Sequence, residues 1–205
     1  MVSHATTLTL KSRKGTWIRD VAATYAPIQH EFHGGDIDPT NFPTDHPAGT
    51  TYHVQDINKP WPEDWKGTFD FVHQRLALVG AGAAQKEAVL ALAALTKPGG
   101  WIQLIEAENI LPDNMGQAMQ DFFELMKVMF AILGARLDLT RQIPGWLEEA
   151  GFIDIQDRLV GMKIGATNPD PRLAKQGVFS TAIGCAAVVR FAKSEFSKYM
   201  FSDSP

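Results

Sequence analysis

Hydrophobic patterns of two different periods alternate along this 205-residue chain. Short alternating or continuous apolar runs, typical of strands, are followed by stretches whose apolar residues recur every three to four positions, typical of helices. Such a chain buries both kinds of element by placing helices on the two faces of a mostly parallel sheet. The sequence therefore predicts an α/β fold with a doubly wound sheet. We expect residues 1–205 to form one domain, since this length suits a single hydrophobic core.

Six strands and five helices are predicted. The run 101–107 is continuously apolar, as expected of a strand buried in a parallel sheet. Methionine and phenylalanine residues form a broad stripe on the helix 116–133, which either packs on the sheet or lines a hydrophobic pocket. The predicted strands are 7–10, 30–33, 51–55, 69–75, 101–107 and 153–163, and the predicted helices are 17–25, 85–96, 116–133, 141–150 and 172–193.

Charge and cysteine content exclude several classes of protein. The formal net charge is −4 and the predicted pI is about 5.8, so nothing favours nucleic acid or an anionic membrane as a partner. Cys185 is the single cysteine and cannot form an internal disulfide, which suits a reducing compartment. The sequence shows neither a secretory signal nor the roughly 20 consecutive apolar residues of a membrane span. We therefore expect a cytoplasmic protein.

Polar side chains follow three successive predicted strands. They are Asp36, Asp56 and the run His73-Gln74-Arg75. In an open parallel sheet, ligands bind at the carboxyl ends of the strands. A carboxylate after the second strand can accept both hydroxyls of a ribose, and one after the third can face the amino group of an adenine. The pattern predicts a site for a nucleotide-like cofactor. No metal site is expected, because Asp38 precedes Pro39 and is typical of a turn.

An ordered set of motifs extends this pattern over roughly residues 15–193. The motifs are GTWIRDVA (15–22), HGGDI (33–37), VQD (54–56), FDFVHQR (69–75), KPGGWIQLIE (97–106), LEEAGF (147–152) and DPRL (170–173). Together they resemble the class I S-adenosylmethionine-dependent methyltransferases of fungal secondary metabolism. The resemblance implies a Rossmann-like sheet of class I methyltransferase type with S-adenosylmethionine at the strand ends.

The resemblance also implies roles for individual residues. Gly15 corresponds to the last glycine of the cofactor loop and Asp36 to the carboxylate that binds the ribose. Asp56 and Ile57 correspond to the adenine contacts. His73 corresponds to a residue beside the methionine end of the cofactor, facing the acceptor. Glu106, at the end of the fifth strand, corresponds to a residue of the pocket floor.

The chain departs from the family pattern in its cofactor loop and at both ends. Lys11 and Arg13 replace two loop glycines, and their side chains would occupy space that the cofactor needs close to the backbone. Thr9 stands where the family has an acidic residue. The helices that precede the first strand and the final strand of the family sheet are missing, so we expect a fold truncated at both ends. A homodimer or a partner subunit would cover the exposed edges.

Three functions fit the sequence. The first is methylation of a small hydrophobic molecule, with His73 as general base and Glu106 as a second catalytic residue. The second is a cyclisation or isomerisation in the same cleft without methyl transfer, which the altered loop favours. The third is a non-catalytic subunit. His73 and Glu106 each have a structural alternative, as a hydrogen-bonded histidine at a strand end and as a carboxylate bound to backbone amides.

Overall fold

The structure, a computed structural model, describes residues 4–10, 15–26, 29–108 and 116–201, with the backbone alone for His4 and 195–201. It divides into two compact units. The first comprises Met1–Asn109 and Leu133–Gln156, and the second comprises Ile110–Ile132 and Asp157–Pro205. The single domain expected over residues 1–205 stays a prediction.

A parallel five-stranded sheet forms the centre of the first unit. Its strands are β1 (His4–Leu10), β2 (Gln29–Asp36), β3 (Thr50–Val54), β4 (Phe69–Arg75) and β5 (Thr96–Ile105). Their order is β3-β2-β1-β4-β5, so β1 lies in the middle and pairs with β2 on one side and β4 on the other. The chain runs outward from β1 to β2 and β3, then crosses to the other side of β1 and continues outward through β4 and β5. This order confirms the prediction of a doubly wound α/β sheet.

Helices cover the two faces of this sheet differently. Helix α1 (Thr16–Thr24) lies on the face where Trp17 stacks on His73 and Phe71 of β4. Helices α2 (Gln85–Ala93) and α4 (Leu139–Glu149) pack on the other face, where the main hydrophobic core lies. The buried members of this core include Leu8, Leu10, Phe69, Val72, Val89, Leu92, Leu95, Leu139, Ile143 and Leu147.

The second unit contains most of α3 (Gln117–Leu133) and the whole of α5 (Pro171–Phe201). In α3 the predicted apolar stripe is buried at Met129 and Phe130 and half-buried nearer the start of the helix. Asp170 begins α5, since its carboxylate accepts the backbone N–H groups of Arg172 and Leu173 at 2.8 and 3.2 Å. Within the described ranges, no helix combines the length and apolarity needed to cross a bilayer.

The sixth strand predicted at 153–163 is wrong. Residues 152–164 form no strand, and most of their apolar side chains face solvent, with Ile153 83% and Val160 77% exposed. Phe152 and Ile155 are the exceptions and pack against the main core. Alternating apolar residues predict a strand only where a neighbouring strand can satisfy the backbone. Asp154 adopts a left-handed conformation (φ 56°), which interrupts the extended chain at its start.

Candidate functional site

The carboxyl ends of the five parallel strands meet at one edge of the sheet, which we call the rim. Asp36 is the last residue of β2, and Asp56 lies two residues beyond β3. His73 lies near the end of β4, and Glu106 directly follows β5. The register places Thr9 of β1 between Gly34 and His73, so β1 separates the Asp36 and His73 strands. The structure thus brings the predicted site residues to a single edge.

Asp36 is a buried carboxylate with one unused oxygen. The residue is only 6% exposed. Oδ1 accepts the backbone N–H of Asp38 at 3.0 Å and the side-chain amide of Asn41 at 3.1 Å. Oδ2 is buried and has no hydrogen-bond partner in the described part of the chain. Because buried polar atoms are nearly always bonded, this oxygen is available to the hydroxyls of a ligand.

Gly15 begins α1 beside the rim in a conformation that only glycine adopts readily. Its φ is +60°, and a Cβ added there would lie 2.5 Å from the Tyr52 hydroxyl and 2.9 Å from Pro43 Cγ. The backbone therefore approaches its neighbours closely. Lys11 and Arg13, which the resemblance aligns with two loop glycines, lie outside the described residues.

A short turn after β3 carries Asp56 and Ile57. The Asp56 carboxylate accepts the N–H of Asn58 at 2.9 Å, and its carbonyl accepts the N–H of Lys59 at 3.0 Å. Ile57 is partly buried against the main core. The Asn58 amide donates to the carbonyl of Gly80 at 3.0 Å, which ties this turn to the loop after β4.

His73 is enclosed and neutral. It is 2% exposed, and its Nδ1 lies 2.8 Å from the hydroxyl of Thr9. The Trp17 ring stacks on the imidazole with centroids 4.1 Å apart. Burial, reinforced by the charge of Arg75, lowers the pKa of His73 to about 4. Its Nε2 is buried and has no hydrogen-bond partner among the residues that the structure describes.

Glu106 is half-buried and fully engaged at one oxygen. Its Oε1 accepts the Gln74 amide at 2.7 Å and the backbone N–H groups of Ala77 and Leu78 at 3.0 and 2.9 Å. These donors belong to the end of β4 and the loop that follows it. Between them, Leu76 has a left-handed backbone (φ 53°). Glu106 thus shapes the chain as it leaves β4.

Several residues at the rim were not predicted from the sequence. Trp17, Thr9 and Asn41 act on His73 or Asp36 across element boundaries, so only the strand register reveals them. The contact between Gln74 and Glu106 could have been predicted from the sequence, since both residues stand at the ends of adjacent strands. Among the described residues, no group of three His, Cys, Asp or Glu side chains could hold a metal ion.

Curated relatives of the chain are fungal methyltransferases, although no family model matches it. Methyltransferase psoC of Aspergillus fumigatus is 34% identical over 187 residues, covering 89% of this chain and 68% of its own length. N-methyltransferase sirN of Leptosphaeria maculans is 38% identical, covering 68% of this chain and 50% of its own. N-methyltransferase gliN of Aspergillus fumigatus is 33% identical, covering 78% and 58%. The chain thus spans half to two thirds of the length of these relatives.

Solved methyltransferase structures share the fold. The CurJ carbon methyltransferase superposes with a TM-score of 0.52 at 17% identity, covering 78% of this chain and 45% of that one. The aminoglycoside resistance methyltransferase NpmB1 superposes with a TM-score of 0.50 at 18% identity, covering 73% and 74%. At these identities, the similarity concerns the fold alone.

Proposed function

Since this chain belongs to the class I S-adenosylmethionine-dependent methyltransferases of fungal secondary metabolism, we propose that it transfers a methyl group from S-adenosylmethionine to a small apolar molecule. The observation that carries the proposal is the buried oxygen of Asp36 at the end of β2, which has no hydrogen-bond partner among the described residues. Because sirN and gliN are named N-methyltransferases, a nitrogen is the first acceptor atom to test.

The residues of the β2 and β3 ends fit an adenosine. Asp36 Oδ2 would accept the ribose hydroxyls, since a buried carboxylate oxygen gains most from such donors. Asp56 would face the adenine amino group, and the apolar side chain of Ile57 would support the ring. Gly15 would let the cofactor approach the backbone at the start of α1. S-adenosylmethionine, when bound, supplies an electrophilic methyl group on a sulfonium.

His73 suits a positioning role better than the general-base role predicted from the sequence. An imidazole with a pKa of about 4 is a weak base at neutral pH, and stacked Trp17 covers one of its faces. Thr9 fixes the ring through Nδ1, which leaves Nε2 as the one nitrogen able to bond a ligand. Glu106, with three donors on Oε1, likewise suits a positioning role. The chain would then contribute mainly alignment and exclusion of water.

The second candidate, cyclisation or isomerisation without methyl transfer, rests on Lys11 and Arg13 in place of loop glycines. A reaction without S-adenosylmethionine would bring no ribose to Asp36 Oδ2, and the named relatives are methyltransferases. We therefore place it second, with the non-catalytic subunit third.

We also propose a cytoplasmic location and a homodimer or a partner subunit. In the described sheet β5 is an edge strand, and it leaves Trp101 63% and Ile105 40% exposed on one face. A partner that covers this face would remove apolar surface from water. Light scattering of the purified chain tests the homodimer, and a clean monomer would leave only the partner subunit.

Calorimetric titration with S-adenosylmethionine and S-adenosylhomocysteine tests the proposed function. We expect micromolar binding to the wild-type chain and much weaker binding to Asp36→Ala. Asp38→Ala is the matched control, because Asp38 is an exposed carboxylate two residues away that bonds Thr40. Absence of heat with the wild-type chain up to millimolar ligand would reject methyl transfer and favour the second candidate.

A further inference from the structure

Two histidines and a glutamate are hydrogen-bonded in series across β2 and β3, and we call these three residues the imidazole bridge. Glu31 and His33 are two residues apart on β2, so their side chains lie on the same face of the sheet. His53 of β3 lies opposite Gly35, which places it on that face as well. His33 Nε2 lies 3.2 Å from Glu31 Oε1, and His33 Nδ1 lies 3.1 Å from His53 Nε2. The bridge thus joins β2 to β3, an edge strand of the sheet.

Aromatic side chains hold the two imidazoles in place. The ring of Trp65, which ends a short 3-10 helix, is nearly perpendicular to both, with centroids 5.2 Å from His33 and 4.8 Å from His53. Phe69 at the start of β4 contacts His33 in the same way at 5.4 Å. The two imidazoles are within 12° of coplanar, so the hydrogen between them lies close to the plane of both rings. This packing leaves the rings little freedom to turn away from each other.

Glu31 determines which nitrogens of the bridge carry hydrogen. A carboxylate only accepts, so His33 Nε2 donates to it. In the neutral bridge, His33 Nδ1 is then the acceptor and His53 Nε2 the donor. One added proton leaves this bond intact, because one of the two facing nitrogens still lacks hydrogen. A second proton puts hydrogen on both facing nitrogens and two positive charges side by side, so the bond is lost.

The surroundings of the bridge oppose this second proton. Burial, reinforced by the charge of His33, lowers the pKa of His53. In the described part of the chain, Glu31 is the one charged side chain in hydrogen-bond contact with either imidazole. The charged groups on the elements packed against the bridge are paired elsewhere or exposed: Glu63 pairs with Lys66, Asp64 is exposed, and Asp70 accepts the Thr6 N–H and the Lys97 ammonium.

We propose that the imidazole bridge is a pH-sensitive link that holds β3 against β2 near neutral pH and releases it when a second proton is taken up. β3 pairs with β2 alone, and His53 lies three residues before Asp56. Release would therefore loosen the turn that carries Asp56 and Ile57. The proposal rests on the proposed function in linking this turn to the adenine of the cofactor. The release of β3 follows from the bridge itself.

Amide hydrogen exchange tests the release without any ligand. We compare the protection factors of residues 50–54 at about pH 7.5 and about pH 5, corrected for intrinsic exchange rates. In the wild-type chain, protection of β3 should fall about tenfold at the lower pH, while that of the central strand β1 falls less than about threefold. His53→Gln keeps an amide donor for His33 Nδ1 but takes up no proton. Its β3 protection should change less than about threefold between the two pH values.

His30→Gln is the matched control for His53→Gln. His30 is another histidine of β2, but it lies on the opposite face of the sheet and stacks on Phe32. This variant should lose β3 protection at pH 5 as the wild-type chain does. Unchanged β3 protection in the wild-type chain, or an equal loss in His53→Gln, would overturn the proposal.

Nitrogen-15 NMR of the imidazoles tests the bridge in the wild-type chain, independently of any variant. At about pH 7.5, the neutral forms of His33 and His53 should both carry hydrogen on Nε2. His53 should take up its proton at lower pH than an ordinary histidine, and the loss of β3 protection should follow that step. Hydrogen on Nδ1 of neutral His33 would contradict the role of Glu31.

Titration with S-adenosylmethionine at the same two pH values separates this proposal from the proposed function. The Kd of the wild-type chain should rise about fivefold more between pH 7.5 and pH 5 than that of His53→Gln. If β3 is released as expected but the wild-type chain binds no S-adenosylmethionine at either pH, methyl transfer is rejected and the imidazole bridge stands. If S-adenosylmethionine binds and the Kd of both chains changes equally, the link from the bridge to the adenine is rejected.

Discussion

The two halves of the rim use carboxylates in opposite ways. On the β2–β3 side, Asp36 spends one oxygen on the protein and leaves the other buried without a partner among the described residues. On the β4–β5 side, Glu106 gathers three protein donors on one oxygen. Both residues are acids at the ends of parallel strands, and the sequence does not distinguish them. The use of their lone pairs does, and it separates a half that we propose binds the cofactor from a half that fixes backbone shape.

Asp36→Ala should give the largest effect of the changes that test this contrast. We expect the Kd for S-adenosylmethionine to rise at least 100-fold, about 3 kcal/mol, because a buried charge-assisted acceptor is lost. The free energy of unfolding should change by no more than about 1 kcal/mol, because relief from burying the unpaired oxygen offsets the lost acceptor for the Asp38 N–H and the Asn41 amide. Calorimetry and urea unfolding measure the two quantities. A destabilised variant with unchanged Kd would show that Asp36, like Glu106, serves the folded structure rather than the cofactor.

The pH dependence of unfolding tests the β4 side through His73. Its pKa in the folded chain, about 4, lies below the ordinary value of 6.5, so the unfolded chain binds the proton more tightly. The contribution of neutral His73 to the free energy of unfolding is therefore complete above about pH 6.5. It falls by about 3 kcal/mol as the pH decreases toward 4. Urea unfolding between pH 4 and 7.5 measures it. His73→Gln should lose most of this dependence, and an unchanged profile would contradict the buried neutral imidazole.

Glu106→Ala should show the mirror image of Asp36→Ala. Loss of the acceptor for three N–H groups should lower the free energy of unfolding by about 2 kcal/mol. The Kd for S-adenosylmethionine should stay within threefold of the wild-type value, because Glu106 lies on the other half of the rim. Urea unfolding and calorimetry provide the measurements. A loss of cofactor affinity as large as that of Asp36→Ala would remove the distinction between the halves.

Asn58→Ala should give the smallest effect, because Asn58 joins the two halves rather than serving either. Removing its bond to Gly80 should cost about 0.5–1 kcal/mol of stability and weaken S-adenosylmethionine binding twofold to fourfold. Asn168→Ala is the matched control, since that amide donates to a backbone carbonyl, of Lys163, within the second unit. It should leave the Kd unchanged. Equal effects of both variants on the Kd would show that the bond between Asn58 and Gly80 does not couple the two halves of the rim.

Much of the sheet could be predicted from the sequence, because its strands have local signals. Residues 69–75 form β4 with the predicted bounds. At β5 the prediction began at 101 because Pro98 and Gly99 indicate a turn, whereas the strand starts at Thr96 and accommodates them with a register shift. The predicted strand at 153–163 failed because apolar alternation carries no information about whether a neighbouring strand exists.

The site was predictable in its positions but not in its chemistry. Asp36, Asp56 and His73 follow strand patterns, so their place at one edge follows from a parallel sheet. The low pKa of His73 comes from burial and from the charge of Arg75. This burial depends on tertiary packing, in which Trp17 stacks on the imidazole. Leu76 had no signal, because leucine is among the residues least expected in a left-handed conformation. The roles of the site residues stay predictions.

The central position of β1 has a consequence for synthesis on the ribosome. β1 leaves the ribosome before the other four strands, and β2 follows soon enough to pair with one of its edges. Its other neighbour lies 64 residues later, as the pair Thr9 and His73 shows. At about 5–20 residues per second, roughly 3–13 s pass before His73 is made. During that interval the nascent chain carries a half-paired strand in its middle, and an open strand edge can pair with another chain.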